Sequence, residues 1–418
     1  MVQRTMLANG LRLLSEEVPG MPSATVGIWV ENGSRDEDPQ ENGVSHFLEH
    51  LFFKGTERRT AAGIAEEIDA IGGVLDAFTG KEYTCYYARV LTEHLPLALD
   101  LLLDVFLCSR FAEEEIERER SVICQEIAQI EDTPDDLIHD LFDLDFWRGH
   151  PLSRPISGTA ATVSRLQRAD LLRYLDRRYR PDRIFVAMAG GARHEELVDQ
   201  VGPALSVLTG KAVSKDTPPP TTSAGVYPHQ RDLEQTHLCL GVPCVSQLDP
   251  DWYAAYLLHT ALGGGMSSRL FQEIRERRGL AYDVTSFLST YRDTGYLGVY
   301  VATSAAWVPE VVELICATLH HVAREGISAE ELRRAKGHAK GGLLLGLETS
   351  EARMNRLARC EIYFGRYIPI PEVAERVEHV TLAEVHALAA RCFADENRAL
   401  TLLGELPASS DYQALLDA

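Results

Sequence analysis

Apolar and polar positions alternate over Ser23–Val30, with Ala24, Val26, Ile28 and Val30 on one side and Thr25, Gly27 and Trp29 on the other. That period of two predicts a strand with one face on a core. Residues 82–90, Glu-Tyr-Thr-Cys-Tyr-Tyr-Ala-Arg-Val, are rich in aromatic and β-branched types and predict a second strand. Helical periodicity runs between the two, and the apolar spacing further on predicts long helices over about 93–108 and 112–131. A sheet with helices packed on it fits this order better than a bundle.

The second half repeats the order. An apolar strand over Thr236–Val242 opens it, as Ser23–Val30 opens the first. Each half closes on a helix-like stretch, an Asp-Arg or Asn-Arg, an apolar strand and a glycine, in Tyr179-Arg-Pro-Asp-Arg-Ile-Phe-Val-Ala-Met-Ala-Gly190 and Phe393-Ala-Asp-Glu-Asn-Arg-Ala-Leu-Thr-Leu-Leu-Gly404. The two copies are offset by about 214 positions, which predicts a duplicated α+β domain. Between them, Leu205 to Gln230 loses periodicity and gains Pro, Ser and Thr, as linkers do. The expected organisation is a domain over 1–210, a linker over 211–230 and a homologous domain over 231–418, each domain a mainly antiparallel sheet covered by helices.

Charge and cysteine usage narrow the class. With 41 Lys+Arg against 62 Asp+Glu in 418 residues, the net charge of −21 argues against nucleic-acid binding, which needs clustered cations. No run approaches the roughly 18 apolar residues of a membrane span, and the first residues lack a signal-peptide order. Eight scattered cysteines without Cys-x-x-Cys read as reduced core residues. A cytoplasmic chain is expected.

Candidate chemistry sits in residues 43–53, Gly-Val-Ser-His-Phe-Leu-Glu-His-Leu-Phe-Phe. Val44, Phe47, Leu48 and Leu51 form a core stripe at helical spacing, and His46, Glu49, His50 and Phe53 form a second. Two imidazoles one turn apart can reach one metal ion, with a carboxylate beside them. The order His-x-x-Glu-His is the inverted form of the commoner metalloprotease motif. A solvated histidine pair is the alternative.

A catalytic zinc takes a third protein ligand and leaves its fourth position to water. In residues 112–131, Ile116, Ile123, Ile127 and Ile130 define an inward face, Glu119 and Glu126 share one border of it, and Glu114, Glu117 and Arg118 point away. Burying two carboxylates beside an apolar face is costly unless a cation compensates them. We assign Glu126 as third ligand and Glu119 as a carboxylate that orients the site; periodicity does not say which of them binds, and a surface reading leaves both solvated. Glu49 then has the place of a general base that takes a proton from water and passes it to a leaving amine. Amide hydrolysis is the reaction this predicts, provided the second helix folds over the first.

Asn42-Gly-Val-Ser-His-Phe-Leu-Glu-His-Leu-Phe-Phe-Lys-Gly-Thr56, with Glu119 and Glu126, resembles the pitrilysin/insulinase family of zinc peptidases, and most of all its two-domain chains related to mitochondrial processing peptidase. The resemblance extends to Gly72-Gly-Val-Leu-Asp-Ala-Phe-Thr-Gly-Lys-Glu-Tyr-Thr84 and to Gly149-His-Pro-Leu-Ser-Arg-Pro-Ile-Ser-Gly-Thr159. It implies one Zn2+ per chain on His46, His50 and Glu126, with Glu49 as base and Glu119 in support. The second half lacks the motif, but its stretch from Gly263 to Tyr282 is similar to the family's substrate-binding element, with Arg275 and Tyr282 at the matching positions. The resemblance also implies that the strand holding Asp76 and Ala77 offers its edge to substrate; many relatives have Asn at the place of Asp76, so an amide donor is missing there while main-chain pairing near Ala77 survives.

By the same resemblance, four such domains close a chamber, so a two-domain chain should dimerise. A homodimer is the simpler reading, with one subunit's Arg275 and Tyr282 facing the other's zinc; a heterodimer is the alternative. The function expected is zinc-dependent endoproteolysis of unfolded peptides or presequences, with basic peptides favoured by the acidic charge. The competing reading is a non-catalytic core subunit of a larger complex.

Overall fold

A computed structural model describes residues 1–213, 217–406 and 411–416; residues 214–216 of the expected linker lie outside the described residues. The chain divides into two units that are not its two continuous halves. The first comprises Met1–Gln129, Arg154–Thr217 and Gly346–Tyr367, and the second comprises Ile130–Ser153, Pro218–Leu345 and Ile368–Ala418.

In the first unit, β1 (Val2–Met6), β2 (Arg12–Glu17), β3 (Ser23–Val30), β4 (Val74–Thr79), β5 (Thr84–Leu91) and β6 (Ile184–Gly190) form one sheet in the order β1-β2-β6-β3-β5-β4. Only the β2–β6 pair is parallel. The second unit repeats the plan with β7 (Gly225–Gln230), β8 (Thr236–Pro243), β9 (Ala281–Thr290), β10 (Gly295–Thr303) and β11 (Ala399–Gly404), in the order β7-β11-β8-β10-β9, with β7–β11 parallel. Two helix-covered, mainly antiparallel sheets are therefore present, as the pattern predicts. Strand β7 occupies the last residues of the stretch read as linker. Its Pro228 escapes the usual penalty because β7 is a sheet edge, and Gly and Pro together hide the period of two.

Strand β3 is buried along both faces, not one. Ala24, Val26, Ile28 and Val30 join Phe47, Leu48, Leu51, Ile116 and Ile123 in the inner core. On the other face Trp29, Cys85 and Phe185 pack against Met354, Leu357 and Ala358 of a helix over Ser350–Phe364, which arrives from far along the chain. The second unit is built in the same way with the direction of exchange reversed. Cys239, Tyr300 and Leu403 of its sheet are covered by Ile138, Phe142 and Phe146 of the helix Pro134–Phe146, a piece of the first half.

Glycine sets both contacts. A Cβ on Gly27 of β3 would lie 2.9 Å from Met354 Sδ, and one on Gly241 of β8 would lie 2.4 Å from the Phe142 ring. The two glycines stand at the repeat offset, so each sheet has a flat place on its middle strand where the exchanged helix seats. Phe142→Ala should destabilise the second unit by about 3–5 kcal/mol through lost transfer energy and the cavity left behind. Urea unfolding followed by tyrosine and tryptophan fluorescence would measure the loss.

Candidate metal centre

The helix Val44–Phe52 buries Val44, Phe47, Leu48 and Leu51 and thereby turns His46, Glu49 and His50 to the other side. Its start is held by an acid from upstream. The fully buried Glu37 carboxylate accepts hydrogen bonds from the Gly43 N–H at 2.8 Å, the Ser45 N–H at 2.9 Å and Asn42 Nδ2 at 3.1 Å, satisfying donors that the first turn leaves orphaned. Gly43 has φ +94°, and a Cβ there would meet Ser157 O at 2.7 Å, so this turn requires glycine. Burial pushes the Glu37 carboxyl up to about 7, against the pull of the Ser45, Gly43 and Asn42 hydrogen bonds.

The helix Glu113–Asp132 carries the two acids of the predicted border. Its Glu126 Oε2 lies 3.4 Å from His50 Nε2 and 3.8 Å from His46 Nε2, and one donor atom from each of the three residues falls within 4.8 Å of the others. The two carboxylates, which periodicity leaves equivalent, differ in the fold. The Glu126 side chain is 41% exposed and faces both Nε2 atoms; that of Glu119 is 6% exposed and lies behind the ring, with Oε2 3.0 Å from His50 Nδ1 and Oε1 2.8 Å from Lys54 Nζ. Glu119 is within hydrogen-bond distance of His50 Nδ1, and a bond accepted there from the ring N–H would turn the Nε2 lone pair toward Glu126. Burial, with His50 adding to it, lowers the His46 pKa to about 4, which keeps that imidazole neutral. Two nitrogen lone pairs and a carboxylate oxygen at this spacing repel one another unless a cation binds between them. The donor set is the kind a tetrahedral zinc takes, whose ligand bonds of about 2.0–2.1 Å place its ligands at comparable separations.

Glu49 stands between the histidines in sequence and makes a different contact. Its Oε2 accepts a hydrogen bond from Thr79 Oγ1 at 2.5 Å, and burial raises its pKa against that bond. A carboxylate raised in this way is a better proton acceptor near neutral pH than a solvated one.

Asp76 and Ala77 lie on β4, at the edge of the sheet. The Asp76 carboxylate accepts the Ala77 N–H at 2.8 Å, so the amide that the edge strand would offer is already engaged by its neighbour. Arg275 and Tyr282 are brought together in the second unit. The guanidinium sits 4.4 Å over the Tyr282 ring and 4.8 Å over that of Phe271, and Tyr282 itself is 77% exposed. The segment Phe271–Arg277 that carries Arg275 is π-helical, a widened form that recurs at functional sites.

Three neighbours of the site escaped the sequence reading. Lys54 stands one helical turn beyond His50 and was open to inference from that spacing. Thr79 lies in the quoted Asp-Ala-Phe-Thr stretch, but nothing in the sequence says that it reaches Glu49. Glu37 gives no signal, because its contact is made by a loop folding back on a helix start.

Two family models match the chain: that of the insulinase family, Peptidase family M16, over residues 12–160, and that of the Peptidase M16 inactive domain over 165–337. In fold, the chain is similar to a Peptidase M16 inactive domain of Pseudomonas fluorescens (TM-score 0.91, 20% identity, 98% of this chain and 99% of that one). A protease of Helicobacter pylori is also similar (TM-score 0.88, 20% identity, 97% and 99%). Among curated relatives, an uncharacterized zinc protease of Mycobacterium leprae is 45% identical over 397 residues, 93% of this chain and 88% of that one. One from Bacillus subtilis is 39% identical over 410 residues, 97% of this chain and all of its own length. These define a class, the two-domain M16 fold. The chain belongs to the insulinase family, Peptidase family M16.

Glu37 generates a prediction about stability. A carboxyl whose folded pKa is raised above its unfolded value binds its proton more tightly when folded, so stability falls as pH rises from about 4.5 to about 7 and is flat outside that window. His46, lowered to about 4, makes stability of the metal-free protein rise with pH over about 4 to 6.5, so the Glu37 effect is read as a difference. In urea unfolding across this range, wild type should lose stability relative to Glu37→Gln as pH rises from about 4.5 to about 7.

Proposed function

We propose that this chain is a zinc-dependent endopeptidase acting on unfolded peptides. The observation that carries this reading is the convergence of His46 Nε2, His50 Nε2 and Glu126 Oε2 beside a half-buried carboxylate, Glu49, that the cation does not need as a ligand. Membership of the M16 family and the zinc proteases among its relatives support it. In this reading His46, His50 and Glu126 hold one Zn2+, which when bound polarises the scissile carbonyl and acidifies water. Glu49 takes the proton of the attacking water and returns it to the leaving amine. Glu119, fixed by Lys54, keeps the His50 ring and its tautomer in place.

The first unit is then catalytic and the second binds substrate, with the Arg275 guanidinium and the exposed Tyr282 hydroxyl hydrogen-bonding peptide carbonyls. Pairing of substrate with β4 requires Asp76 to release the Ala77 N–H first. We read the working form as a homodimer in which one subunit's Arg275 and Tyr282 serve the other's zinc. We read the location as cytoplasmic from eight scattered cysteines without a Cys-x-x-Cys; among the described residues no helix is long and apolar enough to cross a membrane.

Zinc content and cleavage of a mixed library of unstructured peptides test this together. Glu49→Gln should keep zinc and lose about 10²–10⁴-fold in kcat, whereas His50→Ala should lose both. Zinc bound by an inactive wild-type homodimer would instead favour the non-catalytic subunit. The −21 charge further predicts that, among peptides of equal length, cationic ones are cleaved faster at low salt and that the preference shrinks at high salt. Equal rates at low salt would remove the basic-substrate reading.

A further inference from the structure

Two cysteines of the second unit stand with their sulfurs in contact, Cys244 Sγ and Cys392 Sγ at 3.8 Å. Both backbones are held from outside the pair. Cys244 directly follows β8 and donates its N–H to Gly295 O at 2.8 Å, and Cys392 ends the helix Leu382–Cys392 inside the apolar core of the unit. Beside them Arg391, anchored by Asp251 Oδ2 at 2.9 Å, brings a guanidinium. Cys392 is buried, while Cys244 is partly exposed and gives the pair an opening to solvent. The hydrogen bond with Cys244, together with Arg391 and against the effect of burial, draws the Cys392 thiol below its ordinary range, while the same hydrogen bond and burial hold the Cys244 thiol well above its own. A buried structural cysteine needs none of this: it has no sulfur partner and no cation beside it. The remaining gap is small, since a disulfide bond is about 2.05 Å long.

We propose that Cys244 and Cys392 form a reversible dithiol/disulfide site whose co-substrate is a small hydroperoxide entering beside Cys244. The Cys392 thiolate attacks one peroxide oxygen, the O–O bond breaks, and the sulfur becomes a sulfenic acid as hydroxide leaves and takes up a proton. The Cys244 thiol then attacks the Cys392 sulfur, its proton passing to the hydroxide it displaces, which leaves as water. Two thiols and one hydrogen peroxide thus give one disulfide and two waters, with two electrons passing from sulfur to oxygen; a low-molecular-weight thiol reverses the step by exchange. The bond would tie the end of a sheet strand to the end of a helix 148 positions away, constraining the unfolded state of that unit. This inference does not depend on the peptidase reading.

The test treats the purified full-length chain with stoichiometric hydrogen peroxide and reads intact mass, digested peptides and thermal unfolding. Expected are a loss of about 2 Da, a cross-linked peptide joining Cys244 to Cys392 that dithiothreitol releases, and a Tm raised by about 5 °C or more. Cys244→Ala and Cys392→Ala should each abolish the cross-link and the gain in Tm. The partly exposed Cys244 position keeps the comparison available if the buried one does not tolerate change. Oxidation to separate sulfinic acids, or a cross-link that forms no faster in the folded chain than in urea, would overturn the proposal.

Discussion

Each sheet in this chain has two apolar faces, and in each the outer face is covered by a helix that comes from the other half of the chain. That constraint organises the rest. Strand β3 cannot expose Trp29, nor β8 expose Cys239, without leaving a broad apolar surface in water. The Ser350–Phe364 and Pro134–Phe146 helices close these faces by crossing between the two halves of the sequence, and Gly27 and Gly241 let them approach the sheets closely. With its outer face closed, the first sheet gives a firm floor to Val44–Phe52, whose Phe47, Leu48 and Leu51 anchor in the inner core.

Charge is placed on that floor in order of burial. Glu37, the deepest acid, is spent on backbone donors and fixes where the histidine helix begins. Glu119 lies behind His50, between an imidazole and an ammonium, and so is stabilised without facing the cluster. Glu126 is the acid left free to turn toward both Nε2 atoms. Glu49, leaning on Thr79, completes a set of four carboxylates with four different surroundings, which is how one residue type fills distinct chemical roles within one site.

What the sequence discloses follows the range of each interaction. His46, Glu49 and His50 are readable because their relation is set within one helix, at three and four residues. Glu119 and Glu126 are readable as a border of a helix, yet their distinction is not, since it depends on Lys54 and on which side of His50 each one reaches. The exchanged helices are unreadable for a similar reason: periodicity shows that Phe142 and Phe146 need a cover or a surface, and it does not name the sheet 100 residues later that supplies one. The alternation of β3 is misleading in the same sense. Thr25, Gly27 and Trp29 look like a solvent face because two of them are small or polar, whereas Thr25 in fact bonds Ser350 at 2.8 Å and Gly27 is a seat for Met354.

The helix exchange also gives the molecule an order of assembly. A ribosome delivers all of β1 to β6, and every residue of the histidine cluster, well before it delivers Ser350–Phe364. Until then Trp29, Phe185 and Cys85 have no cover, although the Pro134–Phe146 helix has already been made and waits for strands not yet translated. The nascent chain therefore carries an uncovered apolar face from the completion of β6 until Ser350–Phe364 is made, and the unit that holds the histidine cluster is the one completed by a late arrival. Completion of that unit's second core thus waits until most of the polypeptide exists, a property of connectivity and not of any residue in the site.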